Sequence, residues 1–365
     1  MKKNKKFLVL KGTAGMGNRI MSFFEAVIYS KLTNRKLIVD WKDGVYAPAG
    51  VNSFFEFFES PITNPDLKIP NTDSVYPSVW IGNLNKNLDD VRSKQDSKIS
   101  IKDFYKVVKQ KYSVDFSNKD YNEDVLVGLD YGFFLENFES YLDQLPREWP
   151  RESNAFMRHI FKNYLFLNSK IKREAERFVK KNFNGPVIGV HIRYTDNRGT
   201  YKDVDLKKYK PLIDRLLGSN PKATIFLSTD NEEILNEYKK IYPGILFFNK
   251  NFSWKPGLEI HNKKSCDDRI RIGKEALIEM YVLSKCDYII YSGNSSFARL
   301  SAIYSDLEKN NLFDTRNFHD PSVFRNIYYF TSSLFLKILG YTGKRLKKYS
   351  PEIYYKLKPY FLDIK

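Results

Sequence analysis

The stretch PVIGVHIR, residues 186–193, decides the fold, because an apolar run of strand type ends there in charged and polar residues. Similar short runs recur along the chain, each bounded by polar or glycine residues, as is typical of buried strands. They lie at Phe7–Leu10, Leu37–Val39, Val79–Ile81, Val187–Val190, Thr224–Leu227, Ile245–Phe248 and Tyr288–Tyr291.

Amphipathic patterns between these runs predict helices. The predicted helices cover Ile171–Phe183, Leu206–Leu217, Glu232–Ile241 and approximately residues 274–284 and 296–307. Alternation of strands and helices implies parallel sheets of the doubly wound kind. The sequence therefore predicts an α/β fold.

The length of 365 residues exceeds what one hydrophobic core usually organises, so we expect more than one domain. The alternation is regular after about residue 170 and irregular between residues 52 and 150. We therefore predict an α/β domain over residues 1–181, a second Rossmann-like domain over 182–321, and a basic, aromatic extension over 322–365.

The formal net charge of +17 favours polyanionic partners, which include nucleic acid, acidic membranes and phosphorylated substrates. No helix-turn-helix, zinc-finger or RNA-recognition signature accompanies the charge, which disfavours a nucleic-acid-binding protein but leaves it as an alternative. The two cysteines and four histidines have no disulfide or metal-site spacing. No run approaches about 18 apolar residues. We expect a protein of a reducing, cytoplasmic compartment, soluble or peripheral on a membrane.

The strand at residues 187–190 leads to His191 and Arg193, two positions apart, at its carboxyl end. Ligands bind at that edge in open α/β sheets. The arginine fork suits a diphosphate, to which it can donate two charge-assisted hydrogen bonds. The alternative is a core histidine beside an arginine in a structural ion pair.

A second segment, YSGNSSFAR at residues 291–299, is typical of a strand, a small polar turn and a helix start. Ser295 and Ser296 lie where free backbone N–H groups at a helix N-terminus would suit phosphate. Gly293 would let the backbone come close to a ligand. An ordinary capped helix is the alternative.

Two acidic residues are further candidates for contact with a polar ligand edge. Asp230 stands at the end of another predicted strand, and Glu279 lies on a predicted helix with apolar neighbours. Glu279 could instead face solvent.

The glycine-rich segment GTAGMGNR, residues 12–19, follows the first predicted strand and opens a helix. Its glycines do not have the GxGxxG spacing, and no GK[ST] follows, so a P-loop is not supported. Gly17 and Asn18 are candidates for donor binding, although a tight strand–helix junction explains the glycines equally well. Asp203 and Asp205 formally match a metal-binding DxD motif, but such pairs also cap helices.

These motifs, taken together, resemble the fucosyltransferase superfamily. HIRYTD, residues 191–196, resembles the HxRRTD signature of the α1,6-fucosyltransferases, which is shared with the nodulation-factor group NodZ. GMGNR at 15–19 is similar to their glycine-rich turn, and Asp40-Trp41 with the aromatic residues that follow is similar to the NodZ pattern. The segment from Glu279 to Asp287, followed by Ser295, Ser296 and Arg299, resembles their third donor-binding motif.

The resemblance implies a GT-B fold, in which two Rossmann-like domains face a cleft, and an inverting transfer from GDP-fucose without a metal or other cofactor. It places Arg193 on the β-phosphate, His191 and Glu279 near the nucleotide, and Ser295 and Ser296 at the phosphates. Tyr201 stands where the family has a catalytic glutamate. Asp196 and Asp203 are therefore our candidates for the general base.

The acceptor implied by this resemblance is an oligosaccharide or a lipid-linked glycan. The basic tail from residue 324 would bring the enzyme to an anionic membrane, or it would pack on the protein itself. Three alternatives to fucosyl transfer remain: transfer of another sugar, a nucleotide-sugar-binding module without activity, and the nucleic-acid-binding protein considered above.

Overall fold

The computed structural model describes residues 5–93, 96, 101–194, 206–250, 252 and 268–317. The described residues up to Arg316 form one compact unit. They contain two four-stranded sheets and a short two-stranded pair. The predicted extension over residues 322–365 lies outside the described residues, and so do Asp196 and Asp203.

The first sheet is parallel and consists of β1 (Phe7–Lys11), β2 (Lys36–Asp40), β4 (Val75–Tyr76) and β5 (Val125–Gly128), in the order β2-β1-β5-β4. Between these strands in the chain lies β3 (Phe58–Glu59), which pairs in antiparallel fashion with β6 (Phe166–Leu167). All four residues of β5 are buried, because helices or loops cover both faces of a parallel sheet.

The second sheet is also parallel, in the order β10-β9-β7-β8. Its strands are β7 (Val187–Ile192), β8 (Thr224–Thr229), β9 (Tyr288–Tyr291) and β10 (Leu312–Asp314). Every residue of β7 is buried. The prediction of an α/β fold with parallel sheets is confirmed.

The helices fill the connections between the strands. They are α1 (Met16–Leu32), α2 (Phe54–Phe57), α3 (Leu88–Val91), α4 (Ile101–Tyr112), α5 (Ser153–Tyr164), α6 (Ser169–Asn182), α7 (Leu206–Ser219), α8 (Glu232–Ile241), α9 (Arg269–Leu283) and α10 (Ser296–Tyr304). Short 3-10 turns lie at Ser78–Trp80, Leu135–Gln144 and Lys309–Asn311. In the part of the chain that the structure describes, none of these helices combines the length and apolar character needed to cross a bilayer.

Two predicted strands are wrong. Residues 79–81 form part of the 3-10 turn, because the backbone turns between Pro77 and Gly82, which has a φ of 69°. The turn buries the ring of Trp80, whose indole N–H donates to the carbonyl of Tyr112 at 2.8 Å. The run at 245–248 makes only an isolated bridge to β8, between Leu246 and Phe226.

A buried carboxyl pair lies between α1 and the end of β5. Glu25 is fully buried, and its Oε1 accepts hydrogen bonds from the Phe134 N–H and the Asn137 amide, each at 3.0 Å. Asp130 is paired with Lys109 at 2.8 Å. Burial, together with the neighbouring charge of Asp130, raises the pKa of Glu25 well above 4.5.

This raised pKa predicts a stability that falls with increasing pH. Above pH 4.5 the unfolded chain releases the proton that folded Glu25 retains, so the free energy of unfolding drops until the raised folded pKa is passed. The slope is at most about 1.4 kcal/mol per pH unit for one proton. Glu25→Gln keeps both accepted hydrogen bonds and cannot ionise, so this contribution to the slope should vanish.

Urea unfolding at pH 5, 6, 7 and 8 tests the prediction, with Glu174→Gln on the exposed face of α6 as the matched control. We expect the Glu25→Gln variant to gain stability relative to the wild type as pH rises, while the control follows the wild type. Parallel curves for all three proteins would contradict the assignment.

Candidate functional site

The carboxyl ends of β7, β8 and β9 bring several predicted residues to one edge of the second sheet. Val190 pairs in register with Ile290, and Ile192 with Thr229, so the three strands end at similar heights. The residues that follow them are Arg193, Asp230 and Ser292. The structure thus brings the HIR segment and the turn before α10 to adjacent strands at the edge where such sheets bind ligands.

The His191 side chain is a buried, uncharged ring. It packs on Phe297, in the first turn of α10, with ring centroids 5.3 Å apart. Burial, with the nearby charges of Arg193 and Lys250, lowers the pKa of His191 to about 3. The imidazole can therefore exchange hydrogen bonds at neutral pH, but it contributes no positive charge to the site.

Asp230 positions the backbone that follows β7. Its Oδ1 accepts the N–H of Tyr194 at 2.7 Å, directly after Arg193. The carboxylate therefore acts on the loop that carries the arginine, in addition to any contact with a ligand that we predicted for it.

Glu279 is buried within α9, with 3% of its surface exposed, so the alternative that it faces solvent is wrong. Its carboxylate pairs with Lys250 and accepts a hydrogen bond from Ser228, the register partner of His191. Burial raises the pKa of Glu279, and the Lys250 charge opposes that shift. No motif in the sequence indicated Lys250, which lies 29 positions away in a loop.

The turn before α10 is held by the protein itself. Ser295 caps the helix, its hydroxyl accepting the Ala298 N–H at 3.4 Å. The Gly293 N–H donates to Asp314 at 3.0 Å, and the side chains of Asp314 and Arg316 occupy the space where a β-carbon on Gly293 would lie. The interpretation that Gly293 leaves room for a ligand is therefore wrong, and the sequence analysis missed Asp314.

The first turn of α1 lies against the first turn of α10. A β-carbon built on Gly17 would be 2.5 Å from the Ser296 hydroxyl oxygen and 2.7 Å from the backbone nitrogen of Phe297. Gly17 is therefore required by this close approach, and the glycine-rich turn of the first sheet reaches the helix start of the second. Asn18, the next residue, is half-buried.

Arg19, which the motif GMGNR contains, braces the glycine-rich turn. Its Nε donates to the carbonyl of Ala14 at 2.9 Å, and it pairs with Asp43. Ala14 has a φ of 57°, a left-handed conformation that costs a non-glycine residue about 1 kcal/mol. The guanidinium lies over the ring of Tyr46, whose hydroxyl accepts the Met16 N–H at 2.8 Å.

The charges around this junction are predominantly positive. Burial raises the pKa of the Tyr46 hydroxyl, while the charges of Arg19 and Arg193 act in the opposite direction, so both guanidinium groups lie near it. Arg269, at the start of α9, donates to the carbonyl of Gly44. An anion at this place would meet cationic groups carried by both sheets.

Two predicted catalytic residues, Asp196 and Asp203, lie outside the described residues, so their placement relative to this edge stays a prediction. Within the described ranges, no group of three or more His, Cys, Asp or Glu side chains could hold a metal ion. The geometry thus brings together His191, Arg193, Asp230, Glu279, Ser295, Ser296 and Gly17.

Comparison with known proteins identifies relatives of the chain. A model of the nodulation protein Z (NodZ) family matches residues 149–322. Nodulation protein Z of Azorhizobium caulinodans is 23% identical over 307 residues, which cover 78% of this chain and 85% of the relative.

Solved structures show the same fold. The crystal structure of the fucosyltransferase NodZ from Bradyrhizobium has a TM-score of 0.58 and 21% identity, covering 83% of this chain and 94% of that one. NodZ alpha-1,6-fucosyltransferase soaked with GDP-fucose has a TM-score of 0.56 and 21% identity, covering 84% and 97%. The resemblance predicted from the motifs is confirmed, and this chain is a relative of the NodZ group of fucosyltransferases.

Proposed function

We propose that this chain is a glycosyltransferase that moves fucose from GDP-fucose to a hydroxyl of a glycan acceptor. The observation that carries the proposal is the junction of the Gly17 turn with the start of α10, beside the strand that bears Arg193. A relative of the same fold was soaked with GDP-fucose, which supports this donor.

The donor diphosphate would lie between Arg193 and the first turn of α10. Ser296 and Phe297 occupy the helix positions whose backbone N–H groups have no intrahelical partner, and the helix dipole adds positive potential there. Gly293 and Ser295 use their own N–H groups within the protein, on Asp314 and on the carbonyl of Ser292. Anion binding would thus depend on Arg193, Ser296 and Phe297.

The chemistry is substitution at the anomeric carbon through an oxocarbenium-like transition state. The bond from that carbon to the diphosphate oxygen breaks while the acceptor oxygen attacks from the opposite face, so the configuration inverts. Arg193 and the α10 start would stabilise the charge that develops on the leaving diphosphate. A carboxylate from the loop after His191, Asp196 or Asp203, would accept the proton of the acceptor hydroxyl.

We further propose the GT-B architecture, with residues 1–181 as the acceptor-side domain and 182–321 as the donor domain. The two parallel sheets and the glycine-rich turn between them support this division. His191, Asp230, Glu279 and Asn18 complete the proposed donor site, in which no metal takes part. Peripheral attachment of residues 322–365 to an anionic membrane remains part of the proposal.

Calorimetric titration with GDP, UDP and ADP, each with magnesium and with a chelator, tests the donor and metal independence together. We expect GDP to bind at least about tenfold more tightly than the other two, with an affinity that magnesium leaves unchanged. Preference for UDP or ADP would favour transfer of another sugar, and GDP binding without turnover of GDP-fucose would favour an inactive binding module. Failure of every nucleotide to bind would overturn the proposal.

A further inference from the structure

A polar cavity of about 170 Å³ opens at the carboxyl edge of the first sheet. Its floor includes Lys11 and Asp40, the last residues of β1 and β2, which are both buried. Its rim is exposed and includes Ala49, Asn85 and Asp90. The cavity is thus open to solvent above a buried, charged floor.

The carboxylate of Asp40 is fixed by one oxygen and unsatisfied at the other. Oδ2 accepts from the Lys11 ammonium at 2.6 Å, and that ammonium also donates to the carbonyls of Leu84 and Lys86 at 2.5 and 2.9 Å. Oδ1 is buried and has no hydrogen-bond partner among the described residues. Only 4% of the Asp40 side chain is exposed, and a buried acceptor without a donor is costly.

The three hydrogen bonds of Lys11 use every proton of its ammonium group. The lysine therefore cannot turn to satisfy Oδ1, and the second oxygen of Asp40 requires a donor from beyond the described part of the chain. Since Asp40 lines the cavity, a molecule in the cavity can supply that donor.

Size and charge define the molecule. A cavity of about 170 Å³ is smaller than the roughly 300 Å³ at which sites for drug-sized ligands begin, so it accommodates one small unit. Three lysines and three aspartates line it, which leaves no net charge to select an anion or a cation. Asn85 and Asn87 add amide groups to the wall. This lining suits a neutral ligand that carries several hydroxyl groups.

The cavity is connected to the proposed donor site through side-chain contacts. Asp43 lines the cavity and pairs with Arg19, which lies over Tyr46. The charge of Arg193 acts on the same tyrosine. A sugar ring in the cavity would therefore belong to a molecule that extends toward the donor.

We propose that this cavity binds one neutral pyranose ring of the acceptor glycan, a hydroxyl of which donates to Oδ1 of Asp40. The inference rests on the proposed function, because it assigns the ring to the acceptor. The cavity would hold a sugar unit that does not itself react and would orient the chain of which that unit is part.

Saturation-transfer NMR with the full chain and simple methyl pyranosides tests this assignment. The probes are methyl glucoside, galactoside, mannoside and N-acetylglucosaminide, with methyl L-fucoside as a separate arm. We expect at least one of the first four to bind in the absence of nucleotide. Binding of the fucoside alone would assign the cavity to the donor sugar and overturn the proposal, as would the failure of all five to bind.

Variants locate the binding. Ala49→Trp places a large ring at the exposed rim and should weaken pyranoside binding at least about tenfold, and Asp40→Asn should weaken it similarly by changing the acceptor beside Lys11. Val51→Trp is the matched control, since Val51 is 41% exposed and does not line the cavity. Because Asp40→Asn disturbs a buried ion pair, thermal unfolding must accompany it, and the rim variant decides the test if Asp40→Asn fails to fold.

Equal binding by the Ala49→Trp and Val51→Trp variants would overturn the proposal. Calorimetry with GDP distinguishes this failure from failure of the proposed function. Intact GDP binding without any pyranoside binding refutes the cavity assignment alone, whereas loss of nucleotide binding in the wild type would refute the donor site. We expect Ala49→Trp to leave the affinity for GDP within about twofold of the wild type.

Discussion

Replacement of Arg193 by alanine is expected to lower kcat/KM for GDP-fucose by at least about 100-fold. The loss of one preorganised group that stabilises developing charge typically costs about 3–4 kcal/mol of transition-state stabilisation. Arg193 follows β7 at the ligand edge, and the Asp230 carboxylate holds the adjacent backbone at Tyr194. Initial rates of GDP release, measured with an oligosaccharide that the wild type fucosylates, provide the test.

Arg193→Lys is the matched variant for this measurement, because it retains the charge but not the planar fork. We expect it to lie between the wild type and Arg193→Ala. Arg193 is only half-buried, so both variants should unfold near the wild-type temperature. Turnover of the alanine variant at the wild-type rate would remove Arg193 from the proposed mechanism.

Gly17→Ala is expected to destabilise the protein by about 1–3 kcal/mol, the usual range for an added group in a packed interior. The new β-carbon would meet the backbone nitrogen of Phe297 at 2.7 Å and the backbone carbon of Ser296 at 2.9 Å. Backbone atoms cannot move aside by changing rotamer, so α1 and α10 must separate. Because this junction is the proposed diphosphate site, the affinity for GDP should fall at least about tenfold.

Gly218→Ala in α7 is the matched control for this substitution, since nothing lies within 4 Å of the β-carbon position there. Alanine in an open helical position should stabilise the protein by up to about 1 kcal/mol. Urea unfolding and GDP calorimetry on both variants give the comparison. If the two alanine variants behave alike, the close approach at Gly17 has no role in donor binding.

The strands and helices of the second sheet could be predicted from the sequence because they are locally determined. Tyr288–Tyr291 and Glu232–Ile241 have the predicted bounds in the structure. Asn231 caps the second of these with its side chain, and the acids and lysines at its two ends suit the helix dipole. Here pattern, capping and charge favour the same structure.

Elements whose conformation depends on distant contacts were missed or wrong. The strand Leu312–Asp314 has only three half-buried residues and forms by pairing with β9. Val125–Gly128 was missed because the chain around it lacks regular alternation with helices. The run at 79–81 is as apolar as a strand, but the burial of Trp80 determines a turn.

The candidate site divides in the same way. Its edge residues could be predicted, because a residue directly after a buried parallel strand must lie at the ligand edge. The partners that hold them could not. Lys250 meets Glu279 across 29 positions, and Asp314 meets Gly293 across 21, and neither pair has a recognisable spacing in the sequence.

The contact of Gly17 with Ser296 and Phe297 has a mechanical consequence. Side chains that separate two helices can change rotamer and absorb a small displacement, but here a glycine meets backbone atoms directly. Any molecule that shifts the first turn of α10 by a few tenths of an ångström must therefore push α1, which continues from the strand that carries Lys11. Occupancy at one sheet would in this way be felt as a displacement at the other.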